Sequence, residues 1–195
     1  MDNRAFFNKV AFDWDQMCRH DAKKLRKIIE LTSIKAHSKI LDVGTGTGIL
    51  ISYLLETSPY KVVAVDIAEN MVLVASEKYK NDRVEFVVKD VMDFNEKGFD
   101  YIFLYSVYPH FVDKDALFYH LSKLINSGGK IVVAHSESKE KINAIHAASE
   151  HVKEHRLPAA DTTSKLMAKY FIVDRVIDTD EMYYVSGIKN KLNCI

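Results

Sequence analysis

The stretch ILDVGTGTGIL, residues 40–50, places three glycines within five positions directly after an apolar run. Glycine destabilises the interior of a regular element by about 0.5–1 kcal/mol relative to alanine, so this cluster indicates a sharp turn where the backbone comes close to another group. A turn of this kind between a strand and a helix is where α/β proteins bind nucleotide-like ligands. The identity of that ligand is the first question that the sequence raises.

Short β-branched runs alternate with helical stretches on both sides of this turn. The runs are almost continuously apolar, which is typical of strands that are covered on both faces. Alternation of strand and helix predicts a parallel sheet with helices on both faces. The predicted strands are 39–43, 61–66, 84–88, 100–105 and 130–135, and the predicted helices are 49–57, 69–80 and 113–126, the last followed by Gly128-Gly129.

Both ends of the chain depart from this alternation. Residues 3–34 and 138–155 are predicted to be helical, and a short helix is predicted at 163–169. Two further strands, 171–178 and 181–189, are separated by only about two residues, so they must form an antiparallel hairpin.

The spacing of the glycines distinguishes classes of nucleotide site. A P-loop requires a lysine directly after its last glycine, and none follows Gly48. The dinucleotide fingerprint G-x-G-x-x-G matches Gly44 and Gly46, but its third glycine would stand at Ile49 and instead stands at Gly48. The sequence therefore argues against a P-loop and weakens a dinucleotide site.

Three aspartates at the ends of the first three predicted strands define the ligand more closely. Asp42 would repel a pyrophosphate but could interact with an ammonium group. Asp66 ends the second strand, where doubly wound folds bind ribose hydroxyls. Asp90 follows the third strand and can accept a hydrogen bond from an exocyclic amine. An ammonium, a ribose diol and an adenine amine without any phosphate together describe S-adenosylmethionine (SAM).

Five motifs occur in order along the chain: ILDVGTGTGIL, VVAVDIAENM, VEFVVKDVMDF, FDYIFLYSVYPHF and INSGGKIVVAH. With them the chain resembles the class I SAM-dependent methyltransferases, most of all the small-molecule methyltransferases of ubiquinone and menaquinone biosynthesis. The resemblance covers about residues 38–135, and the C-terminal hairpin is similar to the antiparallel strand pair that closes that fold.

The resemblance implies a role for each matching residue. Gly44, Gly46 and Gly48 would let the backbone pass close to the methionine part of SAM. Asp42 would act near the SAM ammonium, through the loop or a water, and Asp66 would hold both ribose hydroxyls. The other implied SAM contacts are Ile67 and Met71 around the adenine, Asp90 at adenine N6, the Val91 backbone N–H near N1, and Tyr105 and Ser106 beside the sulfonium.

The predicted fold is therefore α/β: a Rossmann-like, doubly wound, seven-stranded sheet, mostly parallel, with a C-terminal antiparallel hairpin. We expect one SAM-dependent methyltransferase domain over residues 1–195. Its expected parts are an N-terminal helical lid (1–36), the SAM-binding core (37–135), acceptor-side helices (136–170) and the hairpin (171–190).

The methyl acceptor is expected beyond the carboxyl ends of the strands, where open α/β sheets bind ligands. Methyl transfer from a sulfonium needs alignment, and it needs a base only where the acceptor must lose a proton. His110 and His135 emerge there from adjacent strands, and histidine titrates near neutral pH. We predict one of them as the base or the substrate orienter. The aromatic residues of the N-terminal segment either cover the site as a lid or simply pack on the sheet: Phe6, Phe7 and Trp14.

Two histidine groups raise the alternative of a metal site. His110, His135 and His146 could converge at the sheet edge, and His151 and His155 are four residues apart on a predicted helix. Zinc sites combine histidines with an open position. Sequence spacing gives no further support, so a solvated helix face is favoured and no metal is predicted.

Charge and composition limit the partners. The 195 residues carry 27 Lys+Arg and 27 Asp+Glu, with no basic stripe, which disfavours nucleic acid as a substrate. Amine-directed nucleic-acid methyltransferases have an Asn/Asp-Pro-Pro-aromatic motif after the fourth strand, where this chain has SVYPH, residues 106–110. Cys18 and Cys194 stand at opposite ends of the chain and are expected to be reduced thiols.

We thus expect a SAM-dependent methyltransferase that acts on a small-molecule acceptor and releases S-adenosylhomocysteine (SAH). The open alternatives are a SAM-binding accessory or sensor protein and, less favoured, an RNA methyltransferase or an NAD-dependent oxidoreductase. The N-terminal stretch MDNRAFFNKVAFDWD lacks the apolar core of a signal peptide, and no apolar run reaches membrane-spanning length. A cytoplasmic monomer or homodimer is expected.

Overall fold

A seven-stranded sheet organises the computed structural model, which describes residues 2–190. The strands are β1 (Lys39–Val43), β2 (Lys61–Asp66), β3 (Val84–Val88), β4 (Phe99–Tyr105), β5 (Ile125–His135), β6 (Ile172–Asp178) and β7 (Tyr183–Ile188). Their order in the sheet is β3-β2-β1-β4-β5-β7-β6. The first five strands are parallel, and β7 pairs antiparallel with β5 and β6. The predicted fold class is confirmed.

Eight α-helices accompany these strands over the described residues. They are α1 (Asn3–Val10), α2 (Trp14–Met17), α3 (Ala22–Thr32), α4 (Ile51–Glu56), α5 (Glu69–Lys78), α6 (Lys114–Leu124), α7 (Lys139–Ala147) and α8 (Ala160–Met167). None of these helices combines the length and apolar character needed to cross a membrane.

Side chains of the central strands are buried on both faces of the sheet, as their apolar runs predicted. On β1, Ile40 packs into a cluster that includes Leu25 of α3 and Leu54 of α4. The next residue, Leu41, packs into the opposite cluster with Leu117 of α6. Neighbouring side chains of a strand point to opposite faces, so helices cover both sides and the carboxyl edge of the sheet remains available for a site.

Strand β5 begins at Ile125 rather than at the predicted Lys130. Gly128 and Gly129, expected beyond the end of a helix, therefore lie within the strand. The Gly128 N–H donates to the Lys189 carbonyl (2.9 Å), and the Lys189 N–H donates to the Gly129 carbonyl (2.8 Å). These long-range hydrogen bonds extend the strand through a stretch whose local sequence indicates a turn. The hairpin itself is confirmed, with a connection of four residues, 179–182, instead of about two.

The helix predicted over 138–155 is wrong beyond Ala147, where α7 ends. The following segment folds back onto α7 through Asn143. The Asn143 amide donates to the Leu157 carbonyl (3.0 Å) and accepts from the Leu157 N–H (2.8 Å). His151 and His155 therefore do not share a helix face.

The N-terminal segment is helical, as predicted, but it forms three short helices instead of one long run. Asp2 and Asp21 cap α1 and α3 by accepting hydrogen bonds from backbone N–H groups. Asn8 of α1 accepts from the Asn70 N–H (2.8 Å), and its carbonyl accepts from the Asn70 side chain (3.0 Å). These contacts place α1 over the start of α5, beside the carboxyl edge of the sheet.

Candidate active site

The glycine loop follows β1 and has three residues with positive φ: Gly44 (+65°), Gly46 (+55°) and Gly48 (+84°). A Cβ atom on Gly44 would lie 2.3 Å from the Val107 side chain, and one on Gly48 would lie 2.9 Å from Tyr79. A Cβ atom on Gly46 would meet no atom within 4 Å. Gly44 and Gly46 line a cavity at the sheet edge, whereas Gly48 does not. The absence of a side chain at Gly48 thus allows close packing with Tyr79. At Gly46 the backbone itself borders the cavity, with free space beside it.

Asp42 is buried beneath this loop and does not line the cavity. Its carboxylate accepts a hydrogen bond from the Thr45 hydroxyl (2.7 Å). Burial raises the pKa of Asp42 to about 7, because the charged form loses its hydration. Thr45 lines the cavity, whereas Asp42 does not, so the role of Asp42 near the SAM ammonium, through the loop or a water, stays a prediction.

Asp66 ends β2 and lines the cavity beside Ile67 and Met71. Its carboxylate accepts from the Gly46 N–H (2.8 Å) and from the Ala68 N–H (2.9 Å). Burial raises the pKa of this carboxyl group, while the backbone hydrogen bonds act in the opposite direction. Asp66 therefore fixes the glycine loop against the end of β2 while it faces the cavity.

Asp90 and Val91 border the same part of the cavity after β3. Asp90 begins a 3₁₀ turn, Val91–Asp93, and accepts from the Met92 N–H (2.9 Å). The ends of β2 and β3 thus bring two carboxylates to one side of the cavity, at the edge where doubly wound sheets bind nucleosides.

Tyr105 and Ser106 lie at the end of β4, in the middle of the cavity wall. The Tyr105 hydroxyl donates to the Ser136 hydroxyl (2.8 Å), and the His20 Nδ1 atom lies 2.6 Å from the Tyr105 oxygen. Burial raises the pKa of Tyr105 to about 12, so it is a neutral phenol. Ser106 has φ +54°, and positive φ in a non-glycine residue is concentrated at functional sites.

His110 and His135 line the other end of the cavity. His110 ends a 3₁₀ turn after β4, and its Nδ1 atom lies 2.9 Å from the Nδ1 atom of His155. His135 is the last residue of β5 and is 1% exposed. The two predicted histidines therefore border the same cavity, which has a volume of about 750 Å³.

Comparisons with known proteins identify this arrangement. Residues 41–133 match the family model described as a methyltransferase domain. A malonyl-[acyl-carrier protein] O-methyltransferase of Ilyobacter polytropus is 28% identical over 191 residues, which are 93% of this chain and 69% of that protein. Phosphoethanolamine N-methyltransferase 1 of Triticum aestivum is 34% identical over 113 residues, 56% of this chain and 23% of the relative.

A solved structure extends the fold comparison to almost the whole chain. Phosphoethanolamine N-methyltransferase 2 of Haemonchus contortus, in complex with SAM, superposes with a TM-score of 0.78 at 16% identity. The match covers 97% of this chain and 60% of that one. Residues 41–133 thus form a SAM-dependent methyltransferase domain, and the chain as a whole has the class I methyltransferase fold. Most of the length of the plant relative lies outside its match with this methyltransferase.

Two further histidines, His146 and His155, lie against His110 at its end of the cavity. The ring centroids of His110 and His146 are 5.2 Å apart, and Phe7 of α1 makes an edge contact with His110 at 5.2 Å. The His146 Nδ1 atom donates to the His155 carbonyl, because a carbonyl oxygen can only accept. Burial and the neighbouring imidazoles lower the pKa of His110 to about 3, which leaves it uncharged at neutral pH.

His135 differs from these neighbours because neither of its ring nitrogens has a hydrogen-bond partner within residues 2–190. The edge of the ring packs against Tyr183 (centroids 5.9 Å apart). Burial lowers the pKa of His135 to about 3, so this side chain is also neutral. A buried, unpaired polar group is unusual in a folded protein and requires an explanation.

Two of the N-terminal aromatic residues both pack on a core and line the cavity. Phe7 and Trp14 pack against a small core formed by Ala11, Ala68 and Met71. The same two aromatic side chains line the cavity. Asp15 of α2 ties this segment to the rest of the site by accepting from Thr47 (2.5 Å) and Lys78 (2.6 Å). The two alternatives raised by the sequence are therefore compatible.

The sequence does not predict the contact that His155 makes. Its spacing suggests only a metal ligand beside His151, whereas the structure pairs His155 with His110 across 45 residues. No local signal in the sequence indicates that contact. In the range 2–190 there is no group of three or more His, Cys, Asp or Glu side chains that could hold a metal ion. Cys18 is a free thiol, and Cys194 lies outside the described residues.

Proposed function

We propose that this methyltransferase binds SAM along the glycine loop and transfers its methyl group to a small-molecule acceptor held beside His110 and His135. One observation carries the proposal. A single cavity runs from Asp66 and Asp90 at one end to the two histidines at the other, with Tyr105 between them. A volume of about 750 Å³ is within the range of small-molecule sites.

The end of the cavity that includes Asp66 and Asp90 is called the nucleoside end, and its residues fit the groups of SAM. The open backbone at Gly46 leaves room for the methionine part, and the Asp66 carboxylate can accept from ribose hydroxyls. Asp90 and the Val91 N–H would receive the adenine, with Ile67 and Met71 beside the ring. SAM supplies an activated methyl group when it is bound. The chain supplies alignment, because an in-line displacement depends on how well the two reactants are positioned.

The proposal also includes the enzyme class, the kind of acceptor, the location and the oligomeric state. A generic methyltransferase activity of the one-carbon-transfer class (EC 2.1.1.-) fits the family, and the balanced charge favours a small-molecule acceptor over nucleic acid. A cytoplasmic monomer or homodimer with an N-terminal lid over residues 1–36 remains our prediction. The cavity beyond Tyr105, lined by His110 and His135, counts against a protein that only senses SAM.

Calorimetric titration with SAM and SAH tests the proposal. We expect both to bind, and we expect Asp66→Ala to weaken binding by at least about tenfold through loss of charge-assisted hydrogen bonds. Asp90→Asn should weaken binding less, because the amide still has an oxygen that can accept. Asp93→Asn is the matched control, since Asp93 lies three residues further on and does not line the cavity. Absence of SAM and SAH binding, or tighter binding of NADH, would contradict the proposal.

A further inference from the structure

The end of the cavity that includes His110 and His135 is called the acceptor end. It is lined by aromatic and aliphatic side chains together with these imidazoles. Phe7 contacts His110 there, and further apolar side chains from several segments line the same space: Phe6, Val107, Phe111, Ile142 and Val152. Cavities of this composition bind the apolar body of a ligand by burial and orient it with a few polar groups. With SAM at the nucleoside end, as in the proposed function on which this inference rests, the acceptor end is the space left for the acceptor.

Most of the charged side chains next to the acceptor end form an ion pair or cap a helix. Glu137 pairs with Lys141 (2.9 Å) and Lys24 (3.7 Å). Lys114, which adjoins the histidines, has no ion-pair partner among the described residues, but it donates to the Phe111 carbonyl (2.7 Å) and does not line the cavity. Asp113 caps α6 by accepting from the Ala116 N–H (2.8 Å).

The two other cations that line the cavity are Arg19, which is exposed on the N-terminal segment, and Lys89, which is exposed beside Asp90. Neither residue is among those whose rings contact the His110 ring, which are Phe7, His146 and His155. A phosphate or carboxylate beside His135 would therefore lose its hydration without meeting a buried, unpaired cation among the described residues that line the cavity, which is unfavourable.

His135 offers an unused polar contact at this end of the cavity. Both of its ring nitrogens are buried and unpartnered, and the residue lines the cavity. A neutral imidazole has one N–H donor and one lone pair. A hydroxyl or N–H group of a ligand would satisfy the lone pair of His135, and a ligand oxygen or nitrogen could accept from its N–H.

We propose that the acceptor is an uncharged molecule with an apolar body, and that the atom to be methylated still carries its proton as O–H or N–H and donates it to His135. Transfer forms a bond from this heteroatom to the methyl carbon and breaks the carbon–sulfur bond, whose electron pair stays on sulfur. The heteroatom's proton passes to the lone-pair nitrogen of the imidazole and then to solvent. A phosphomonoester or carboxylate acceptor is the competing class.

Three probes that share one ring separate these classes: phenol, benzoate and phenyl phosphate. Their binding to the SAH-saturated full-length protein is measured by ligand-observed NMR at neutral pH. We expect phenol to bind at least about tenfold more tightly than either anion, because only phenol avoids an uncompensated buried charge. Equal binding of the three probes, tighter binding of either anion, or no binding of phenol would overturn the inference.

The variant His135→Leu tests the residue itself. It removes both nitrogens at similar volume, and we expect it to weaken phenol binding by about tenfold while the affinity for SAH is unchanged. His151→Leu is the matched control, because His151 is an exposed histidine outside the cavity lining. Unchanged phenol binding in His135→Leu would overturn the inference. If SAH does not bind to the wild-type protein, the proposed function fails instead, so the two failures are distinguishable.

Discussion

The two ends of the methyltransferase cavity are built in opposite ways. At the nucleoside end, Asp42, Asp66 and Asp90 each accept a hydrogen bond from a group close to the glycine loop or to their own turn. At the acceptor end, His110 meets His155 across 45 residues, and His135 has no hydrogen-bond partner. At the nucleoside end each of these carboxylates already has a partner within the protein, whereas the acceptor end has an unsatisfied buried group. The two ends therefore differ in how much of their polar chemistry is already used within the protein.

The two ends should respond to pH with opposite signs, and this is the largest effect that we expect. The folded-state pKa of Asp42 is raised to about 7, so its contribution to stability is present below pH 4 and is lost as pH rises to about 7. The folded-state pKa of His135 is lowered to about 3, so its contribution is present above pH 6.5 and is lost as pH falls towards 3. Each change corresponds to about 4 kcal/mol.

Urea unfolding of two variants between pH 4 and 6.5 separates these contributions. In Asp42→Asn the free energy of unfolding should rise with pH across this window more steeply than in the wild type, because the opposing Asp42 contribution is gone. In His135→Leu the free energy of unfolding should rise less steeply with pH than in the wild type, or fall, because the His135 contribution is gone. Parallel pH profiles of the two variants would show that the two ends do not differ in this way.

Gly44→Ala should produce the next largest effect, a loss of about 3 kcal/mol of unfolding free energy. The new Cβ atom would combine a positive φ with a 2.3 Å contact to Val107. Gly46→Ala is the control, since it has a similar φ but open space, and we expect a loss of about 1 kcal/mol. In the double variant with Val107→Ala, Gly44→Ala should cause a smaller loss. Equal losses in the two single variants would refute the role of the Val107 contact.

His135→Leu should stabilise the ligand-free protein at neutral pH by about 1–2 kcal/mol, although it removes a residue of the proposed site. The replacement eliminates a buried polar ring with two unpartnered nitrogens, and such groups are destabilising when nothing binds them. Thermal and urea unfolding at pH 7 give the measurement. A clear destabilisation would mean that the ring makes packing contacts that outweigh its unpaired nitrogens.

Asn143→Ala should have the smallest effect, a loss of about 1 kcal/mol. The side chain exchanges two hydrogen bonds with the Leu157 backbone and so holds the segment that carries His155. We expect the affinity for SAH to stay the same and backbone hydrogen exchange at residues 148–157 to accelerate. The nearby Ser149→Ala serves as the control. If SAH binding weakened as well, the two ends would be coupled more strongly than their separate construction suggests.

The sequence was sufficient to predict most of the nucleoside end. The loop, the aspartates and the strands are contiguous motifs, so hydrophobic pattern and turn chemistry locate them within a few residues. Gly48 is an instructive case, because its position in the motif suggested a ligand role, whereas its Cβ position is occupied by Tyr79. A short motif shows that glycine is needed but not which neighbour requires it.

The sequence was less informative about the acceptor end. The helix predicted over 138–155 failed because hydrogen bonds between Asn143 and Leu157 turn the chain back after Ala147. The start of β5 was missed because its pairing with Lys189 lies far along the chain. His110 and His135 could be placed at the sheet edge from strand order, but the pairing of His110 with His155 depends on tertiary packing.

The contact between Gly44 and Val107 has a consequence for redesign of the enzyme. The loop that precedes α4 rests on the Val107 methyl groups, one residue after Ser106 at the end of β4. A bulkier residue at position 107 would push the glycine loop away and damage both ends together. Positions 135, 146 and 155 have no such tie to Gly44 among its nearest contacts. A library intended to change acceptor preference should therefore diversify these three histidines first and keep Val107 fixed.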